Sequence, residues 1–392
     1  MDHTALRRNT RRLSVPIVWL ALSWLGASVL SAPSGPSPVG YDSTAAAPES
    51  PSGRAYPKDP LGLWREAAPS AYPSGAKAWI SPERFRVCHL DRARLQPLLA
   101  QAPPEQAHAL AHSTSLVSLP LPEGGFAHFR FVTVAVMAPE LAAKFPEIQT
   151  FLGQGIEDPT ATVRFDLTPA GFHAQILRRD GTVYIDPLFQ GDAAWHAVYF
   201  RKDHRRLEGD FRCLTPASSA ESSPSAQDSI YVPALQPAPP QPPFGTNLRV
   251  YRLACAAMGE YTQFHGGSVA NGMAAIVTAI HRVNGVYETD LAIRLQLVAN
   301  NDRVVYTNAA TDPYTSSDPN VLLNQNQANL DSVIGSANYD VGHLFGTRAD
   351  GRAYLGVVCL AGLKAGGYTG SAAPVGDPFF IDYVAHELGH QF

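Results

Sequence analysis

The chain is short of three things, and each shortage narrows what it can be. Its 392 residues include only Cys88, Cys213, Cys255 and Cys359, too few for a disulfide framework to hold a chain of this length. Charged residues make up 16% and the net charge is −4, so no basic field exists to attract phosphate backbones, and nucleic-acid binding is excluded as a primary role. Beyond the N-terminus no apolar run approaches the ~20 residues that a spanning helix needs.

What is present begins with an export signal. Arg7, Arg8, Arg11 and Arg12 precede the apolar run Val15 to Leu30, followed by the small residues Ser31 and Ala32. Residues 1–32 therefore read as a signal peptide, and the protein as secreted, without stable membrane insertion after cleavage. An apolar content of 45% leaves enough hydrophobic surface for one or two well-buried cores.

Composition then divides the chain. Residues 33–77 are Pro- and Ser-rich and read as a flexible leader. Residues 78–213 carry alternating runs, Ala127 to Val134 and Gly171 to Leu177, with the turn signal Arg179-Asp180-Gly181, and read as a β-rich domain. Residues 214–245 are Ser/Ala-rich and end in Pro237, Pro239, Pro240, Pro242 and Pro243, a linker open to cleavage. From 246 to 392 helical and strand periods alternate. The expected elements are a helix over Gly267–Val283, a strand over Ile293–Val298, a helix over Pro319–Ile334, a strand over Tyr354–Val358 and a final helix. That pattern predicts an α/β layered domain. The order leader, β-rich domain, linker, α/β domain suits a zymogen and equally two domains on a tether.

The final helix carries the chemistry. Asp377 is placed to cap it, Pro378 suits its first turn, and Phe379, Ile381, Tyr383, Val384 and Leu388 supply an apolar face. His386 and His390 stand four residues apart, so both rings project from one face of the helix toward a single cation. Glu387, beside the first, is placed to take a proton from metal-bound water as general base. A core helix whose histidines merely hydrogen-bond is the competing account of lone histidines, but not of two at this spacing around a glutamate.

His386-Glu387-Leu388-Gly389-His390-Gln391-Phe392 resembles the opening of the metzincin motif H-E-x-x-H-x-x-G-x-x-H. Gly351 to Cys359, Tyr339-Asp340-Val341-Gly342-His343 and Asp377-Pro378-Phe379 are similar to the bacterial secreted reprolysin-like (adamalysin-like) branch. Val134 to Leu141, Phe145 to Ile148 and Tyr184 to Pro187 look like the pro-region of those precursors.

The resemblance implies an α/β (α+β) metzincin-like catalytic domain with a twisted mixed sheet and an active-site helix, preceded by a β-rich pro-domain. It implies a Zn2+-dependent metalloendopeptidase acting on protein or peptide substrates. Tyr354, Leu355, Gly356, Val357 and Val358 would be the edge strand that pairs with an extended substrate.

The motif's later glycine, its third histidine and the methionine turn have no counterpart up to Phe392. The chain is therefore read as a precursor truncated just after the motif, binding zinc poorly and hydrolysing little.

In the same family the cysteine after the edge strand pairs with one beyond the motif, which would leave Cys359 without its partner. Cys213, just before the linker, is the candidate latent-switch thiol, with Cys88 behind it; a Cys88–Cys213 disulfide or plain buried thiols are the alternatives. Cys255 is unassigned. His265, His281 and His343 set no ligand spacing. Asp382, one turn before His386, reads as an exposed helix carboxylate rather than a support for the metal. Glu260 and Asp302 are the carboxylates that a structural Ca2+ site, as in some relatives, would draw on, but two scattered carboxylates do not define one.

Two other functions stay open: a thermolysin-like protease with a downstream glutamate ligand, and a non-catalytic exported binding or inhibitory protein.

Overall fold

The computed structural model describes residues 59–67, 72–105, 109–204, 211–216 and 247–392. The expected signal peptide, most of the expected leader and the expected linker beyond residue 216 lie outside the described residues. All described residues fall within a single compact unit. None of their helices is long and apolar enough to cross a membrane.

The N-terminal region is a nine-stranded antiparallel sheet. Its strands in chain order are β1 (Trp64–Glu66), β2 (Arg86–Leu90), β3 (Leu116–Pro120), β4 (Phe126–Thr133), β5 (Gln149–Gly155), β6 (Thr162–Thr168), β7 (Gly171–Leu177), β8 (Val183–Pro187) and β9 (Trp195–Phe200). In space the order is β1-β2-β9-β8-β7-β6-β5-β4-β3. The leader expected over 33–77 is thus corrected: β1 lies inside it, because Trp64 is buried and donates its indole N–H to the Ser118 carbonyl at 2.8 Å.

Alternation places Phe131, Phe151, Phe165 and Phe172 on one face of this sheet. Register sets Phe151 opposite Phe165, with their rings stacked at 4.9 Å. The other face of β6 and β7 carries Arg164, Asp166, His173 and Gln175, which are buried as well. A strand pair buried on both faces has a second layer over it, and here that layer comes from the C-terminal half.

The C-terminal sheet contains β10 (Arg212–Cys213), β11 (Arg249–Ala257), β12 (Ile293–Leu297), β13 (Val341–Gly346), β14 (Asp350–Ala353) and β15 (Gly367–Gly370), ordered β10-β14-β15-β13-β11-β12. It is mixed: β14 runs antiparallel to β15, and every other pairing is parallel. Along β11 the side chains of Leu253, Cys255 and Ala257 enter one core while Ala254 and Ala256 enter the other. The long helix Val269–Leu291 and the motif helix cover the first face. The helix Pro319–Leu330 covers the second.

The long helix starts where Ser268 Oγ accepts from the Asn271 N–H and ends at Ala292 with φ +54. It runs eight residues past the expected end at Val283 (Leu291 is the last), through Asn284 and Gly285, two residues that ordinarily weaken helices. Tertiary contacts hold it there. Asn284 exchanges two 2.8 Å hydrogen bonds with Leu295 of β12, and a Cβ at Gly285 would meet Gln175 Oε1 at 2.2 Å.

This helix docks on the polar face of the N-terminal sheet. Thr278 donates to Asp166 at 2.9 Å, His281 Nε2 lies 3.0 Å from the Phe151 carbonyl, and Arg282 reaches Asp186 at 2.5 Å. These helix positions are three, four and seven residues apart with Gly285, one stripe facing the sheet. The segment Val136 to Ala138 adds backbone bonds to β12, Leu297 N–H to the Val136 carbonyl and Ala138 N–H to the Leu297 carbonyl, both 2.8 Å. Val136, Met137, Leu141, Phe145 and Ile148 join the same core as the long helix and the motif helix.

Candidate metal centre

The motif helix forms in three steps: Gly376–Phe379, a wider π turn Phe380–Ala385, and His386–Gln391. Tyr383, Val384 and Leu388 bury the inner face, and the Tyr287 hydroxyl donates to the Ala385 carbonyl at 2.7 Å. Asp377 does not cap this helix. It is buried and pairs with Arg201 at 3.0 Å, and burial pushes its carboxyl up to about 6. Arg201 also pairs with Asp382 at 2.6 Å, which occupies that carboxylate away from the histidines.

His386 and His390 present their Nε2 atoms to each other at 3.2 Å, and Cys213 Sγ lies 3.5 Å from His390 Nε2. One donor atom from each of Cys213, His386, Glu387 and His390 falls within 4.8 Å of the others. Zinc at ~2.0–2.1 Å from two nitrogens and ~2.3 Å from a sulfur would hold tetrahedral ligands ~3.3 Å (N–N) and ~3.5 Å (N–S) apart. The donor set fits that ion.

Glu387 is fully buried and its Oε1 has no hydrogen-bond partner among the described residues. Burial pushes its carboxyl up to about 7, against the lowering influence of Cys213 and Thr215 beside it. Burial likewise raises the Cys213 thiol and, with the neighbouring His386, lowers His390. Each shift favours the neutral form. A cation between these groups would favour the opposite, charged thiolate and carboxylate.

Cys213 arrives on β10, which pairs in parallel with β14, Cys213 opposite Gly351. Leu214 N–H donates to the Gly351 carbonyl at 2.7 Å, and Arg352 donates to the Leu214 carbonyl at 2.6 Å. Ala353 N–H donates to Thr215 Oγ1 at 2.9 Å, and Thr215 Oγ1 lies 3.4 Å from Glu387 Oε2. Gly351 permits this approach: a Cβ there would stand 2.5 Å from both Glu387 Oε1 and Phe211 Cζ.

The strand expected over Tyr354, Leu355, Gly356, Val357 and Val358 is corrected to Asp350–Ala353. Gly356 turns the chain at φ +63, and the Gly356, Val357 and Val358 amides donate to the His390 and Gln391 carbonyls. Those amides close the end of the motif helix and are not free for an edge.

The other candidates are not brought to the centre. All four cysteines are free: Cys88 and Cys255 are buried and Cys359 is exposed in a turn, so no Cys88–Cys213 bridge exists. His281 is buried elsewhere, and His265 is half-buried against Trp79 and Tyr261. His343 is also buried, bonding Gln391 Oε1 and Thr369 Oγ1, each at 2.8 Å. Asp302 pairs with Lys144 at 2.7 Å, and Glu260 joins no carboxylate cluster among the described residues. Phe211 and Thr215 went unnoticed in the sequence, where only their closeness to Cys213 could have marked them; Tyr383 stood out only as part of the helix's apolar face, and Gly351 and Arg352 only as part of the segment that resembles the family.

Residues 247–392 match the model of the metallo-peptidase family M12B, reprolysin-like. This region is reprolysin-like. Among the enzyme readings, that match supports the metzincin one. No curated protein matches the sequence. Among solved structures, metalloproteinase-II from Bacteroides fragilis is 10% identical, covering 75% of this chain and 86% of that one with a TM-score of 0.38, a likeness too weak to carry an argument about function. The reprolysin-like region holds both motif histidines and the glutamate, while Cys213 comes from outside it.

Proposed function

We propose that the chain is the precursor of an exported zinc metalloendopeptidase, with residues 78–213 as pro-region and 246–392 contributing to the catalytic domain. In this reading Cys213 holds the centre latent. The observation that carries it is that His390 Nε2 stands 3.2 Å from His386 Nε2 and 3.5 Å from Cys213 Sγ, two separations that ligands of one tetrahedral zinc would have. Export is supported by the basic and apolar N-terminal sequence, and cleavage by the proline-rich stretch up to Pro243.

When bound, zinc supplies Lewis acidity to a peptide carbonyl and makes water acidic. His386 and His390 hold it. Glu387 Oε1, buried and unpartnered, is placed to take a proton at that spot. The backbone positions of β14 now engaged by Arg212 to Thr215 become available to an extended peptide when that segment leaves.

Zinc content and thiol alkylation of the full chain test this. About one zinc per chain is expected, with zinc slowing alkylation of Cys213 while leaving Cys359 unaffected. E387Q should keep the zinc, which His386, His390 and Cys213 hold in this reading. A folded chain that takes no zinc, or a Cys213 alkylated equally fast with and without it, sinks the proposal.

A further inference from the structure

The segment that reaches the centre brings an aromatic ring with it. Phe211 stacks on Tyr383 with ring centroids 4.0 Å apart and planes 11° from parallel. Its ring is nearly perpendicular to that of His386, with centroids 6.5 Å apart, and its Cζ comes within 2.5 Å of where a Cβ on Gly351 would stand. Phe211 is half-buried against the core that contains Tyr383 and Phe380. The site therefore has a wall, a floor cleared of side chain, and a rim formed by a candidate metal ligand.

Extended backbone explains why ring and sulfur come together. Residues two apart on a strand project to the same face, so Phe211 and Cys213 both point at the motif helix. On that helix Tyr383 stands three residues before His386, placing aromatic wall and histidine on neighbouring positions. The hydrogen bonds along β14 are to backbone and accept any sequence, so selectivity rests on pockets such as this one.

We propose that Tyr383 and Gly351 form an aromatic-accepting subsite, occupied here by Phe211, and that peptides taken by the centre place a phenylalanine or tyrosine ring in it. The substrate inference rests on the peptidase reading above; the pocket itself does not.

The test uses full-length F211A, which empties the pocket, with N-acetyl-4-fluoro-phenylalanine amide as probe and fluorine NMR as readout. Binding is expected to F211A without zinc, at least about fivefold weaker to F211A/Y383A and to the parent, whose own ring fills the site. N-acetyl-leucine amide should displace the probe at least about fivefold less well than N-acetyl-phenylalanine amide. Equal binding to F211A and F211A/Y383A, or equal displacement by the leucine amide, overturns the subsite. Circular dichroism of each variant establishes folding, and F211L replaces F211A if the latter unfolds, with the same expectations. Zinc content measured on the same samples separates the two ideas: a pocket that binds the probe in a chain that takes no zinc refutes the peptidase reading alone.

Discussion

Cys213 Sγ stands 3.5 Å from His390 Nε2, although 177 positions separate the two residues in sequence. The contact is made by backbone pairing of β10 on β14, beside which the Leu214 N–H donates to the Gly351 carbonyl at 2.7 Å. A thiol delivered by strand pairing is placed by geometry that does not depend on its own affinity for metal.

Gly351 is the hinge of that geometry. G351A introduces a Cβ 2.5 Å from Glu387 Oε1 and from Phe211 Cζ, so β10 must lift or Glu387 must turn. The expected result is a loss of about 1–3 kcal/mol in stability by denaturant titration, together with faster alkylation of Cys213. An unchanged alkylation rate would show that β10 is not seated by this close approach.

The N-terminal sheet and the long helix share a buried charge pair. Arg282 and Asp186 are both almost fully buried, and the Tyr199 hydroxyl adds a 2.6 Å bond to the same carboxylate. D186A strips the guanidinium of its counter-charge and should cost about 3–5 kcal/mol. D186A/R282M, which removes both charges, should recover most of that loss. Chemical denaturation of the two variants decides the matter, and equal losses would place the cost in packing rather than in the orphaned charge.

Acid should loosen the fold in a defined window. Burial lowers His343 to about 4 and His265 and His196 to about 3, and holds His281 well below its usual range. Unfolded histidines take protons near pH 6.5 while these do not, so the unfolded state binds more protons and stability falls as pH drops from about 6.5 toward 4. Asp377, raised to about 6, and Glu387, raised to about 7, work in the other direction between about 4 and 7 but are two groups against several. Thermal denaturation at pH 7.5, 6 and 5 should show a falling midpoint, and H343Q should flatten the slope. A midpoint that holds or rises toward pH 5 contradicts the assignment of neutral buried histidines.

Some of these features were readable in the chain and some were not. The i, i+4 histidines around Glu387 stand out because helix geometry alone puts them on one face. The paired runs of the N-terminal sheet were visible from β4, but not its second buried face, because Arg164, Asp166, His173 and Gln175 read as solvent-facing until the long helix covers them. The edge strand was placed a few residues late since Tyr354 to Val358 has strand-like composition, and only Gly356 hinted at the turn. Asp377 looked like a helix cap and is instead a buried partner of Arg201, because the helix starts at Gly376, with Val375 at the cap and Asp377 inside the first turn.

Local periodicity thus determined the motif helix, the alternation of helix and strand after residue 246 and the β-rich character before residue 213, all of which depend on neighbours within a few positions. The tertiary structure alone decided that Cys213 meets the histidines, that Phe211 stacks on Tyr383, and that the polar stripe of the long helix is satisfied by a distant sheet. Those contacts depend on strand register and on which faces pack together, and the chain carries no short-range signal for either.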